Sequence, residues 1–190
     1  MLIFDPAMAQ TAMQKQIDKV YAVQRRSEFG PKRYALLFLP GEYHLDIAVG
    51  FYTQVLGLGA APDAVHISGN VHADASHVNN NATTTFWRAA EGFSVTPAGG
   101  TMQWAVSQAV PLRRVHVRGN LVLHQHHGWA SGGWMSDTRS SMAISIPALS
   151  SNGLRAIVNG EAGLARTGTW SSSASRIHQR ATGRDRRIPK

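Results

Sequence analysis

The sequence predicts an all-β fold, a right-handed single-stranded parallel β-helix, and three observations carry the prediction. Between Arg33 and Gly59 lie three short apolar runs, each closed by glycine or Pro-Gly, with no room for helices between them. The unit Val65-His66-Ile67-Ser68-Gly69-Asn70-Val71 is echoed by Val115-His116-Val117-Arg118-Gly119-Asn120-Leu121. Strand signals recur roughly every 20–30 residues, the length of one turn of a solenoid. Short strands with glycine turns also suit an antiparallel sandwich. The matched units favour the β-helix, in which equivalent residues of different turns stack on one another.

Each element has its own signal. Gln10 to Arg25 reads as an amphipathic helix, because Met13, Ile17, Val20 and Tyr21 fall at i, i+4, i+7 and i+8. Asp5-Pro6 turns the chain before it, and Glu28-Phe29-Gly30-Pro31 stops it. A lone helix ahead of a long β region is placed to cap the open end of a stack of strands. Tyr34 to Leu39 is a continuous apolar strand, and Pro40-Gly41 is its turn. Tyr43, Leu45 and Ile47 alternate with polar or small residues, as in a half-buried strand. Gly50 breaks that run, Phe51 to Leu56 forms the next, and Gly57-Leu58-Gly59 ends it. Gly92 to Thr96 gives another short strand between the two echoed units.

Composition divides the chain. Its 190 residues carry a formal charge of +8 and no Cys, so disulfides and thiolate metal sites are excluded. Residues 1–138 hold 10 Lys/Arg and 9 Asp/Glu, a net of +1, whereas residues 139–190 hold 9 and 2, a net of +7. The basic character therefore belongs to the tail, which has one aromatic residue, Trp170, and little to bury after Thr167. That composition is expected to be largely disordered. Residues 1–138 are read as part of a β-helix domain and residues 139–190 as a basic tail. No apolar run approaches a membrane span, and Met1 to Asp5 shows no export signal. As encoded, the chain is expected in the cytoplasm.

Candidate chemistry is thin. His124, His126 and His127 form an H-x-H-H cluster, and strand alternation would put His124 and His126 on one exposed face. Such a pair could bind Zn or Cu, but no third ligand is evident. Asn79-Asn80-Asn81 reads as a loop, although stacked asparagines could also line solenoid turns. Trp87, Trp104, Trp129 and Trp134 could stack on sugar rings or pack in the core. Ser107 and Ser131 lack the His/Asp pattern of an activated nucleophile. The acids Glu42, Asp46, Asp63, Asp74, Glu91 and Asp137 are scattered rather than paired, and glycosidic cleavage usually needs a pair. No catalytic, cofactor or metal-binding residue is assigned.

Several stretches together resemble the start of the bacterial exo-β-1,3-glucanases (laminarinases) of glycoside hydrolase family 55. They are L-I-F-D-P-A-M from Leu2, F-G-P-K-R-Y-A-L-L-F-L-P-G-E-Y from Phe29 and V-G-F-Y-T-Q-V-L-G-L-G from Val49. The resemblance continues in N-A-T-T-T-F-W-R from Asn81, W-A-V-S-Q-A-V-P-L-R-R from Trp104 and S-G-G-W-M-S-D from Ser131, and stops near Thr138. The P-G-x-Y and G-L-G elements alone mark only the wider pectin-lyase-like class. The resemblance implies two tandem β-helices with the active site between them, secretion, and inverting release of sugar from the ends of β-1,3-glucan. It also implies a general acid in a second β-helix that this chain does not reach. The family's sugar-binding Q-Q-Q-W segment is missing after Trp134.

Reading codons for Arg139 to Ala174 shifted by two bases, with suitable synonymous choices, restores Q-Q-Q-W and W-N-M-V-F in register. The tail therefore reads as an out-of-frame extension. This implies a truncated fragment without activity of its own, open strand edges, and marginal solubility in a monomeric or aggregation-prone chain. The expected partner is β-1,3-glucan in the full-length family, with neither nucleic acid nor membrane, and no cofactor. Two alternatives stand beside it: a non-catalytic carbohydrate-binding or adhesin-like β-helix, and a nucleic-acid binder using the Arg-rich tail.

Overall fold

The computed structural model describes residues 1–130 and 133–145, together with the strand Arg155–Ile157. Among the described residues it is a parallel β-helix with one α-helix. A seven-stranded sheet runs in the order Leu2–Phe4, Tyr34–Phe38, Thr53–Gly57, Ala89–Glu91, Pro111–Arg113, Trp134–Ser136, Arg155–Ile157. A second sheet is built from Gly41–Tyr43, Val65–His72, Ser94–Pro97, His116–Val117 and Arg139–Ser140, with Asp46–Ala48 also paired to Val65–His72. The third holds Thr101–Gln103, Asn120–Val122 and Ile144–Ser145. Every pairing is parallel, so each coil returns to the same place one strand further along.

Parallel stacking makes the core a set of columns. Leu36, Val55, Ala90, Leu112 and Met135 face inward in register from successive coils, none more than 3% exposed. Tyr43, Ile67, Val95 and Val117 form a second column, and Met102 and Leu121 belong to a third. Burying each Val, Leu, Ile or Met of these columns contributes roughly 1.5–3 kcal/mol, and the methyl of Ala90 less. The repeated burial of equivalent positions is what the periodic apolar runs encode.

The echoed units stack as the sequence implies. His66 pairs with Ser94 and Ser94 with His116, so Val65–Val71 and Val115–Leu121 occupy equivalent corners two coils apart. Gly69 turns that corner at φ +148, with the carbonyl of Leu45 only 2.1 Å from where a Cβ would stand. No side chain fits there. Tyr43, Leu45 and Ile47 all point inward, but a bend divides their run into Gly41–Tyr43 and Asp46–Ala48.

The helix spans Gln10–Gln24, and Met13, Ile17 and Val20 are buried against the first coil. The strand Leu2–Phe4 precedes it and pairs with Tyr34–Phe38, an element that three residues of sequence do not announce. Arg139–Ser140 and Ile144–Ser145 continue the ladders beyond Thr138. The expectation for residues after Thr167 lies outside the described residues.

Candidate functional site

One corner of the coil presents aromatic rings to solvent. It lies just before the seven-stranded sheet, where Arg33, Tyr52, Trp87 and Ala109 occupy successive coils in register. Backbone bonds from Tyr34 N to Tyr52 O (2.9 Å), Tyr52 N to Trp87 O (2.6 Å) and Trp87 N to Gln108 O (3.3 Å) tie the coils together there. Tyr52, Trp87 and Ala109 have φ of +53, +57 and +55. A left-handed residue with a bulky side chain is uncommon. Because Ala109 adopts the same angle, that conformation belongs to the corner, and the aromatic side chains at 52 and 87 are a separate choice.

Those side chains form a stack. The Arg33 guanidinium lies 3.4 Å from the Tyr52 ring centroid. Tyr52 and Trp87 are stacked at 5.2 Å and 22°. Phe86 meets Trp87 edge-on at 4.6 Å, and the Tyr52 hydroxyl donates to the Glu28 carbonyl at 2.8 Å. Trp87 remains 39% exposed. A cleft of about 820 Å³ opens over the corner, lined by Arg33, Tyr52, Gln54, Trp87, Ala109 and Pro111. An exposed indole backed by a half-buried phenol ring, with an exposed amide and small residues in the same cleft, suits a ligand with flat apolar faces and hydroxyl edges.

The sequence held a signal for this corner that spacing arguments missed. Phe51-Tyr52 leads, across four intervening residues, to Gly57, and Phe86-Trp87 leads in the same way to Gly92. These are the same seven-residue unit in successive coils. The two glycines abut: a Cβ on Gly57 would lie 2.2 Å from the Gly92 carbonyl oxygen.

The remaining tryptophans diverge. Trp104 is 1% exposed and belongs to the core, whereas Trp129 is 60% and Trp134 37% exposed. Trp134 projects from the sheet beside Pro111. Asn79-Asn80-Asn81 is a loop, with φ of +58 and +62 at Asn79 and Asn80. Asn81 Oδ1 accepts from the backbone N–H and hydroxyl of Thr83.

The histidine cluster departs from its expected form. His124 is 5% exposed, not on an exposed strand face, and His126 and His127 occupy a left-handed turn at φ +44 and +59. The turn cancels strand alternation, so His124 and His126 share no face. Instead His124 stacks on His127 at 4.9 Å, its Nδ1 accepts from the His127 backbone N–H, and Nε2 lies 2.9 Å from the Ser145 hydroxyl. Burial first, then the neighbouring His127 and His126, holds the His124 pKa below its ordinary value. Among the described residues no group of three or more His, Asp or Glu converges as metal ligands.

Most of the acids are engaged by basic side chains. Asp63 meets His116 at 3.0 Å and Arg118 at 3.2 Å, and Glu91 meets Arg113 at 2.9 Å. Asp46 and Asp74 flank His72 at 3.4 and 3.7 Å, and the Tyr21 hydroxyl donates to Asp74 at 3.3 Å. The His72 hydrogen bond holds Asp46 below the usual carboxylate range. Burial would push Asp74 and Asp63 up, yet Ser76 in one case and His116 with Arg118 in the other leave both lowered. A glycosidase general acid needs the opposite shift. These carboxylates are held ionised, as acceptors, rather than poised as proton donors. Asp137 lies on an exposed corner at φ +50.

Hydroxyl nucleophiles fare no better. Ser94 Oγ lies 2.8 Å from His66 Nδ1, and Glu42 stands 3.9 Å from His66 Nε2, but Ser94 is fully buried. A nucleophile must reach its substrate. Ser107 is also fully buried and bonds the Gln108 side chain, and Ser131 lies outside the described residues.

Likeness to known proteins runs along the same coils. No protein-family model matches the chain. An exo-β-1,3-glucanase of Streptomyces sp. (strain SirexAA-E / ActE) is 45% identical over 140 residues, which is 73% of this chain and 23% of that protein. The solved structure of sacteLam55A from Streptomyces sp. SirexAA-E superposes with a TM-score of 0.72 at 43% identity, covering 75% of this chain and 26% of that one. A variant of sacteLam55A in complex with glucose gives a TM-score of 0.73 at the same 43% identity and coverage of 75% and 26%. The chain thus spans about a quarter of the length of these relatives, 23–26%.

Proposed function

We propose that this chain, whose N-terminal part belongs with the exo-β-1,3-glucanases of glycoside hydrolase family 55, supplies the opening coils of a β-1,3-glucan hydrolase. The reading rests on one observation: 45% identity maintained over 140 residues, a stretch comparable in length to the described coils. Sequence kept at that level along a whole stack of coils supports a common scaffold and, with it, a common polysaccharide. On this reading the enzyme releases sugar from chain ends with inversion and works outside the cell, where its substrate lies.

Within this division of labour the described coils are scaffold. Inverting hydrolysis needs an acid and a base about 6.5–9.5 Å apart, with the acid's pKa raised. Asp46, Asp63 and Asp74 are all shifted the other way. We therefore infer that the 190-residue chain does not cleave glucan by itself. The composition step after Thr138, and the Q-Q-Q-W recovered on shifting the frame, support a tail translated out of frame.

Two measurements test this. The DNA across the codon for Thr138 should show family-like sequence in the shifted frame, and a locus without it ends the frame argument. The purified chain should release no reducing sugar from laminarin, whereas the frame-restored gene product should release glucose with inverted anomeric configuration. Turnover by the unrestored chain would overturn the scaffold reading. A second reading, binding of carbohydrate without turnover, is favoured by the exposed Trp87 at the end of the Tyr52–Trp87 stack.

A further inference from the structure

We propose that the open face of Trp87 is a stacking site for one sugar ring of a β-1,3-glucan, with Ala109 leaving the space and Pro111 at its edge. The inference rests on the glucan reading above and adds a site to it.

Four observations carry it. The column Arg33, Tyr52, Trp87 rises through successive coils, and each member covers a face of the next. At the coil after Trp87 the column stops, because the residue in register is Ala109. Among the described residues no ring lies parallel to the second face of Trp87, which keeps the residue 39% exposed. The cleft over this position is lined by Gln54 and Pro111 as well as by the rings.

Geometry sets the size of the missing member. Neighbouring parallel strands lie about 4.8 Å apart. The Tyr52–Trp87 centroid distance of 5.2 Å shows that one coil spacing accommodates one ring on another. A pyranose laid over Ala109 would continue the column at that spacing, with its C–H face on the indole. Rings of a β-linked glucose offer such a face, because their hydroxyls are equatorial. The hydroxyl edge then faces the open cleft beside Pro111, two residues on from Ala109; Gln54, an exposed amide able both to donate and to accept, lines the same cleft two coils away, beside Tyr52. Arg33 is committed elsewhere, to Tyr52 and to the carbonyls of Gly30 and Lys32, so it steadies the stack rather than contacting the sugar. A cation above the column would select acidic ligands, but this one is already capped. A neutral sugar fits better.

The test measures binding to the full chain by calorimetry, using a β-1,3-linked glucose hexasaccharide and its β-1,4-linked isomer. Trp87→Ala removes the platform. Ala109→Tyr fills the site with a ring, and this corner already carries aromatic residues at the same backbone angle at Tyr52 and Trp87. Both variants should weaken binding of the β-1,3 ligand by about tenfold or more. Trp129→Ala, removing a ring 60% exposed elsewhere, should leave binding unchanged. Circular dichroism shows that each variant is folded. Unchanged binding in both Trp87→Ala and Ala109→Tyr would overturn the site while leaving the glucan reading intact. No binding by the folded wild-type chain would overturn the site as well. So would self-association of the wild type that Trp87→Ala abolishes, because a second copy would then be the occupant. Preference for the β-1,4 isomer, still lost in Trp87→Ala, would keep the stacking site but overturn the β-1,3-glucan reading beneath it.

Discussion

At the helix end of the coil stack the outer edge of the second sheet, around His44 and Asp46, meets side-chain amides; at the other end the outermost described strands are joined by backbone pairing alone. Gln10 Oε1 accepts from the His44 N–H at 3.0 Å. Gln14 Oε1 accepts from Asp46 N–H at 2.9 Å, and its Nε2 donates to the Asp46 carbonyl at 2.7 Å. Gln24 Nε2 donates to the carbonyls of Phe51 at 2.7 Å and Lys32 at 3.0 Å. The glutamines thus present a donor and an acceptor where a neighbouring strand would have done so. A helix offers no edge of its own, so pairing stops there. At the far end Arg139–Ser140, Ile144–Ser145 and Arg155–Ile157 are the outermost described strands, joined by backbone pairing. Ladder bonds involve no side chain. They can therefore run past the composition step at Thr138, whereas the cap depends on particular residues at helical spacing.

The contrast can be broken by mutation. The largest effect is expected from Ile17→Ala, which opens a cavity between helix and coil at a residue 1% exposed. It should cost about 2–5 kcal/mol in urea unfolding. A cost below about 1 kcal/mol would mean that the helix rests on the coil without sealing it. Gln14→Ala should cost about 1 kcal/mol, because water can reach the freed groups. Its sharper signature is faster amide exchange at Asp46, with the amide of Leu123 at the far end unaffected. Equal acceleration at both would refute a local cap.

The third measurement probes the far end by pH. His124 is held below its ordinary pKa by burial and by its histidine neighbours, and its Nδ1 already accepts a hydrogen bond. The unfolded chain takes up a proton that the folded one resists. Stability from this group is therefore complete above about pH 6.5 and is lost progressively as pH falls below it. Exchange at Leu123, whose N–H donates to the Ser145 carbonyl at 3.0 Å, should rise beyond its intrinsic change as pH falls from about 6.5 to 5.5. His124→Gln should flatten that dependence; a profile unaltered by the substitution would remove His124 from the account. The smallest effect is expected for Glu91→Gln. Its pair with Arg113 is 37–40% exposed and should be worth under about 1 kcal/mol.

Much of the scaffold could be read from residue patterns. The inward positions Tyr43, Leu45 and Ile47, the helix face Met13, Ile17 and Val20, and the stacking of Val65–Val71 with Val115–Leu121 are all consequences of periodicity. Where a signal was short or broken, reading failed. Leu2–Phe4 becomes a strand only because Tyr34–Phe38 offers it an edge. His124-Gln125-His126-His127 resembles an alternating strand until a turn at positive φ rotates each ring differently.

The candidate site shows the same boundary from the other side. Phe51-Tyr52 and Phe86-Trp87 could be matched as equivalent units from sequence, but the next member of their column could not be found that way. The insertion with its three short 3-10 turns lies between those two units and does not hide their likeness, but no third aromatic pair followed by glycine comes after them, and nothing in the letters marks Ala109 as the residue one coil on from Trp87.

By itself the sequence determined a parallel coil, its interior and its capping helix, because burial of equivalent positions repeats along the chain. The tertiary structure decided which coil lies against which. Only that register leaves one face of Trp87 uncovered and gives the helix's glutamines a strand edge to satisfy. Periodicity is local and survives in the letters; register is fixed by backbone hydrogen bonds between residues far apart, which any sequence can make.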